Sequence, residues 1–70
     1  MQPTQNIGYK IRKLREIRNY TQEYMAEQLK ISQNAYSRIE REEANPSLTR
    51  INEICKILDI GYRINGAVDV

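Results

Sequence analysis

Two helix-capping residues, Thr21 and Ser32, stand eleven positions apart, each just ahead of a short run of apolar residues at helical spacing. One helix must end and another begin within that interval, which leaves room for a helix of about two turns. Met25, Ala26 and Leu29 form its apolar stripe, and Glu23 sits in the first turn, where the helix dipole favours an acid. Leu29, Lys30 and Ile31 make the turn into the next helix. Beyond Ser32, the run from Gln33 to Glu40 places Ala35, Tyr36 and Ile39 on one side and leaves the other polar.

Two further helices flank this pair. Ile7, Ile11, Leu14 and Ile17 recur at spacings of 4, 3 and 3, the mark of an amphipathic helix over about 6–18. Asn45, Pro46 and Ser47 mark a loop in which Ser47 is the cap, and Leu48, Ile51, Ile54, Cys55 and Leu58 give a helix over about 48–58. With the inner pair at about 22–29 and 33–41, the expectation is an all-α domain of four to five short helices over residues 1–61. Pro3 and Pro46 both fall where helices begin, not within one. The tail, 62–70, is different: Tyr62, Ile64, Val68 and Val70 alternate with Arg63, Asn65 and Asp69, a strand pattern with Asn65-Gly66 as a hairpin turn. The same stretch also reads as a frayed end or as a fifth helical turn packed on the first helix.

Seventy residues hold one domain at most. Nothing approaches the roughly 20 consecutive apolar residues of a membrane span, so no membrane partner is expected. The lone Cys55 can form no internal disulfide, and the N-terminus lacks the apolar core of a secretory signal; both point to the cytoplasm. A net charge of +2 does not announce a nucleic-acid partner, but its distribution is uneven. Residues 1–20 hold Lys10, Arg12, Lys13, Arg15 and Arg18 against Glu16, whereas the other fifty hold six basic and eight acidic residues. Such a cluster reads equally as a phosphate-facing patch or as a solvated helix face.

A short helix, a tight turn and a second helix with a polar outer face is the geometry that presents side chains to the DNA major groove. Amides suit adenine there and arginine suits guanine. Gln33, Asn34, Ser37 and Arg38 supply those groups on one arc of the helix, away from Tyr36 and Ile39. Four polar residues on a helix are, taken alone, more often merely solvated.

The succession Thr21-Gln22-Glu23, Met25-Ala26, Leu29, Ile31-Ser32-Gln33, Ser37-Arg38-Ile39-Glu40-Arg41 and Asn45-Pro46-Ser47-Leu48 resembles the phage-repressor-like (XRE-type, Cro/C1-type) helix-turn-helix family over about 6–60. The resemblance implies a lambda-repressor-like fold whose second and third helices bind DNA, in a transcription regulator, most simply a repressor bound as a homodimer to a palindromic duplex operator. It implies phosphate contact for Gln22, base or phosphate contacts for Gln33, Asn34, Ser37 and Arg38, and places Ser32 and Arg41 in the same DNA-binding set. It also implies a structural ion pair between Arg15 and Glu40. Three departures stand out. Lys30 and Glu42 replace family glycines at positions that often need positive φ, so either strain is accepted or the third helix ends later. The tail lacks the amphipathic pattern of the usual fifth helix, and 62–70 is a candidate dimerisation element.

An enzyme is disfavoured: there is no His and no Gly-rich phosphate loop, and Cys55 lies on an apolar stripe with no second Cys or His to complete a metal or nucleophile site. No catalytic residue, metal, cofactor or small-molecule ligand is expected. Tyr9, Tyr20, Tyr24, Tyr36 and Tyr62 are scattered over the chain and read as packing residues, not as a stacking platform. The competing class is a protein-interaction module, the DNA-binding antitoxin of a toxin-antitoxin pair. Such antitoxins usually carry additional partner-binding sequence, and only about ten residues here lie outside the helical core, which favours a stand-alone regulator.

Overall fold

The computed structural model describes residues 7–59. The chain forms four helices: α1 (Ile7–Ile17), α2 (Gln22–Leu29), α3 (Gln33–Glu40) and α4 (Leu48–Leu58). This is the expected all-α architecture. Residues 62–70, with the proposed strand, hairpin or fifth helical turn, lie outside the described residues, as does Pro3.

Three of the four helices start on the residue whose chemistry requires it. The hydroxyls of Thr21, Ser32 and Ser47 accept from the backbone N–H of Tyr24, Ala35 and Arg50, satisfying donors that have no partner within the helix. The ends follow one pattern. Asn19, Lys30, Glu42 and Asp59 all have φ between 61° and 63°, the left-handed conformation usually given to glycine. After α1, Tyr20 N donates to Arg15 O and Asn19 N to Glu16 O. After α2, Ile31 N donates to Ala26 O and Lys30 N to Glu27 O; after α3, Glu43 N donates to Arg38 O and Glu42 N to Ile39 O. These paired bonds close each helix and absorb a conformational cost on the order of 1 kcal/mol per non-glycine residue. Of the two outcomes left open for Glu42, α3 takes the strained one and stops at Glu40.

The core is Ile11, Met25, Ala26, Leu29, Tyr36, Ile39, Ile54 and Leu58, contributed by all four helices. α2 packs on α3 and α4, and α1 closes the opposite side against α3 and α4. Gly8 sets how closely α1 approaches: a Cβ there would lie 2.3 Å from Ile39 O and 2.7 Å from Glu40 O, so α1 runs against the backbone of the last turn of α3. The apolar stripes overshoot at two places. Ile17, 73% exposed, ends α1, and Leu48, 74% exposed, begins α4. A stripe fixes which face turns inward but not how far the neighbouring helix extends. Tyr36 is buried and Tyr20 half-buried, but Tyr9 and Tyr24 lie at the surface. Tyr24 rests on the ring of Tyr20 at 4.6 Å, and Lys13 sits over Tyr9.

Candidate nucleic-acid interface

α3 is held from beneath by Tyr36, Ile39 and Glu40, all buried. Its opposite face is the polar arc: Gln33, Asn34 and Arg38 are exposed and Ser37 is half-buried at its edge. The side chains sit where helical periodicity puts them once one face is buried. Ser32 lies just ahead of them; its Oγ accepts from Ala35 N at 3.0 Å, which leaves the hydroxyl hydrogen for an outside acceptor. Gln33 and Asn34 occupy the first turn of α3, where free backbone N–H groups also point outward.

Glu40 organises the side of α3 that faces α1 and α2. Its side chain is 2% exposed and that of Arg15 12%. Arg15 Nε donates to Glu40 Oε2 at 2.6 Å and Nη2 to Oε1 at 3.2 Å, while Nη1 donates to Tyr20 O at 2.8 Å. The same carboxylate accepts from Gln22 Nε2 at 3.0 Å and from the hydroxyl of Tyr36. No buried side-chain polar atom among the described residues lacks a partner. Burial alone would raise the Glu40 pKa, but the hydrogen bonds from Arg15, Tyr36 and Gln22 outweigh it and hold the carboxyl below its ordinary value. Tyr36 is pushed far up, by burial first and then by its bond to an ionised acceptor. At neutral pH the cluster is therefore a charged Arg15–Glu40 pair with a neutral phenol, satisfied on every side.

This cluster fixes the start of α2 against α3. Gln22, the first residue of α2, has one amide hydrogen on Glu40, leaving its second N–H and its carbonyl oxygen for a ligand. Gln22, Ser37 and Arg41 line one polar cleft together with Arg12, Arg15 and Glu40. Ser32, Gln33, Asn34 and Arg38 lie outside it, farther along the exposed face. The sequence counted Arg12 only within a basic cluster. Its spacing of three from Arg15 puts both on the α1 face that borders the cleft, and Glu16 holds its Nε at 3.1 Å. Arg41 closes the cleft at the end of α3, with Nη1 donating to Ser37 Oγ at 2.7 Å and Nε and Nη2 donating to the two carboxylate oxygens of Glu43, both at 3.1 Å.

An outward polar arc and a cleft edged by three arginines form a surface for a polyanion with readable edges. No helix of the described residues is long and apolar enough to cross a membrane. No characterised protein and no solved structure is matched by the chain. A family model described as Helix-turn-helix matches residues 11–64, which takes in all of α2, the turn, α3 and α4. The chain thus belongs to the XRE-type (Cro/C1-type) helix-turn-helix family, the DNA-binding domains of transcription regulators.

Proposed function

We propose that the domain is a cytoplasmic transcriptional repressor that binds a palindromic duplex operator as a homodimer, with α3 in the major groove. The observation that carries this reading is the outward presentation of Gln33, Asn34, Ser37 and Arg38 by a helix whose other side is locked by Tyr36, Ile39 and Glu40. Gln33 and Asn34 offer the paired donor and acceptor that fit adenine, and Arg38 offers the fork that fits guanine. Gln22 and Arg41, which line the same cleft, reach backbone phosphates, with Ser32 as a further donor. Repression follows from occlusion of polymerase by the bound dimer. The role is binding only: no group on this face is assigned a catalytic part, and no cofactor or small ligand is needed.

Selecting bound duplexes from a random pool at two salt concentrations tests this directly. The expected result is a two-fold-symmetric sequence with half-sites about one helical turn apart, bound two chains per duplex, with affinity falling steeply as salt rises. Enrichment of no sequence at either salt would overturn the operator reading, and one chain per selected site would overturn the dimer.

A further inference from the structure

Two acids, Glu42 and Glu43, follow the Arg41 cap of α3, where the helix dipole disfavours negative charge and where a DNA-binding surface gains nothing from it. Glu42 has a role within the fold: its carboxylate accepts from the backbone N–H of Tyr9. Glu43 is exposed. Its two oxygens instead take Nε and Nη2 of Arg41, both side chains being about half exposed. The remaining nitrogen of that guanidinium, Nη1, is on Ser37 Oγ. Three of the five N–H donors of Arg41 are therefore engaged, and its bidentate Nε–Nη2 edge, the one best shaped for a phosphate, is filled by the Glu43 carboxylate. Arg41, and more distantly Arg38, in turn hold the Glu43 carboxyl below its ordinary value, so it stays ionised through the physiological range.

We infer that Glu43 is a specificity-determining residue, an internal competitor that occupies Arg41 until a duplex seats closely enough to replace it. This rests on the DNA-binding reading above and adds to it. On non-cognate DNA, where α3 stays separated from the base edges by water, Arg41 remains neutralised by Glu43 and adds little to the attraction. On the operator, close docking brings Ser37 to a base edge and a phosphate to Arg41. Both hydrogen-bond partners of Arg41 are then exchanged at once. The pair itself is weak because it is exposed, which is what an exchangeable contact requires. Glu43 thereby suppresses binding to arbitrary duplex more than binding to the correct one.

The test compares the full chain with the variants E43Q, R41Q and the double variant, on the selected duplex and on a scrambled duplex of the same length and composition. Both positions are exposed, and circular dichroism of each variant checks the fold. E43Q is expected to tighten binding to the scrambled duplex by roughly 3- to 10-fold and to steepen its salt dependence by up to about 0.9 in log–log slope, one further phosphate contact. Its affinity for the selected duplex should rise by less, so the ratio between the two duplexes falls. In the R41Q background, E43Q should leave the slope unchanged. An E43Q variant with the parent's affinity and slope on both duplexes overturns this inference while leaving DNA binding intact. An undiminished effect of E43Q without Arg41 also overturns it, since simple charge removal would then explain the gain. Failure of the parent chain to bind any duplex overturns both readings.

Discussion

The carboxylate of Glu42 accepts a hydrogen bond at 3.2 Å from the backbone N–H of Tyr9, 33 residues earlier in the chain, so α1 receives a cap from the turn that ends α3. The first turn of α1 has no acidic residue of its own. Glu42 holds this position at φ 63°, where the family usually has glycine. One side chain therefore incurs backbone strain and offsets it by satisfying a donor on another helix. Glu42→Ala should keep the strain and lose the cap, destabilising the fold by about 1 kcal/mol. Glu42→Gly loses the cap but relieves the strain and should fall within about 0.5 kcal/mol of the parent. Urea unfolding of both variants checks the order; equal stability of Glu42→Ala and parent would discard the capping role.

Gly8→Ala should destabilise the domain by about 1 to 3 kcal/mol, against the usual direction for glycine replaced inside a helix. The reason is the position of the new Cβ, 2.3 Å from Ile39 O and 2.7 Å from Glu40 O, both backbone atoms that cannot turn aside. A shifted α1 would also pull Arg15 off Glu40. Thermal unfolding suffices as the measurement, and a raised midpoint would mean that α1 and α3 lie farther apart.

Glu40→Gln or Arg15→Met should each cost about 3 to 5 kcal/mol, because each leaves a buried group without its charged partner. The double replacement should cost less than the sum. Stability should also depend on pH at both ends of the scale. Glu40 has a lowered folded pKa, so its contribution is fully present above its unfolded value of about 4.3 and is lost as pH falls through the folded value. Tyr36 has a raised folded pKa, so its contribution is present below about pH 10 and is lost as pH rises beyond that. Urea midpoints from pH 3 to 11 would show both limbs. Tyr36→Phe should flatten the alkaline one, and an unchanged alkaline limb would contradict the placement of that hydroxyl.

On DNA, Gln33→Ala or Arg38→Ala should cost about 1 to 3 kcal/mol on the selected site and relax base preference, since both are exposed and their loss leaves the fold untouched. Gln22→Ala should weaken binding evenly across sequences and, by removing one donor from Glu40, lower stability by about 1 kcal/mol as well. Competition binding with single-base variants of the site, read beside unfolding curves, separates the two classes. If the Gln33 and Arg38 variants discriminate bases as the parent does, α3 is not the reading element.

The helix starts at Thr21, Ser32 and Ser47 were legible because capping is local: the hydroxyl acts on a backbone N–H three residues ahead. The inward faces of α2 and α3 were legible for a similar reason, as periodicity needs no knowledge of a partner. Ile17 and Leu48 belong to the apolar stripes that mark α1 and α4 yet are exposed, because they lie at helix ends, where exposure depends on the length of the neighbouring helix. Gly8 carried no signal, since a lone glycine within a helical pattern does not say what passes beside it. Arg41 was assigned to the DNA-binding set, but its occupation by Glu43 and Ser37 depends on the chain reversal at Glu42.

The amino-acid order by itself determined four amphipathic segments, where three of them begin, and which side of each turns to water, because those properties arise between residues a few positions apart. The Arg15–Glu40 pair was expected from the family resemblance, but only the packed molecule decided that Gln22 and Tyr36 would join it on the same carboxylate, that α1 would be capped from the end of α3, and that Arg41 would be held by Glu43. These contacts depend on how helix ends and helix crossings place side chains within about 3 Å of each other, which spacing along a single helix does not encode.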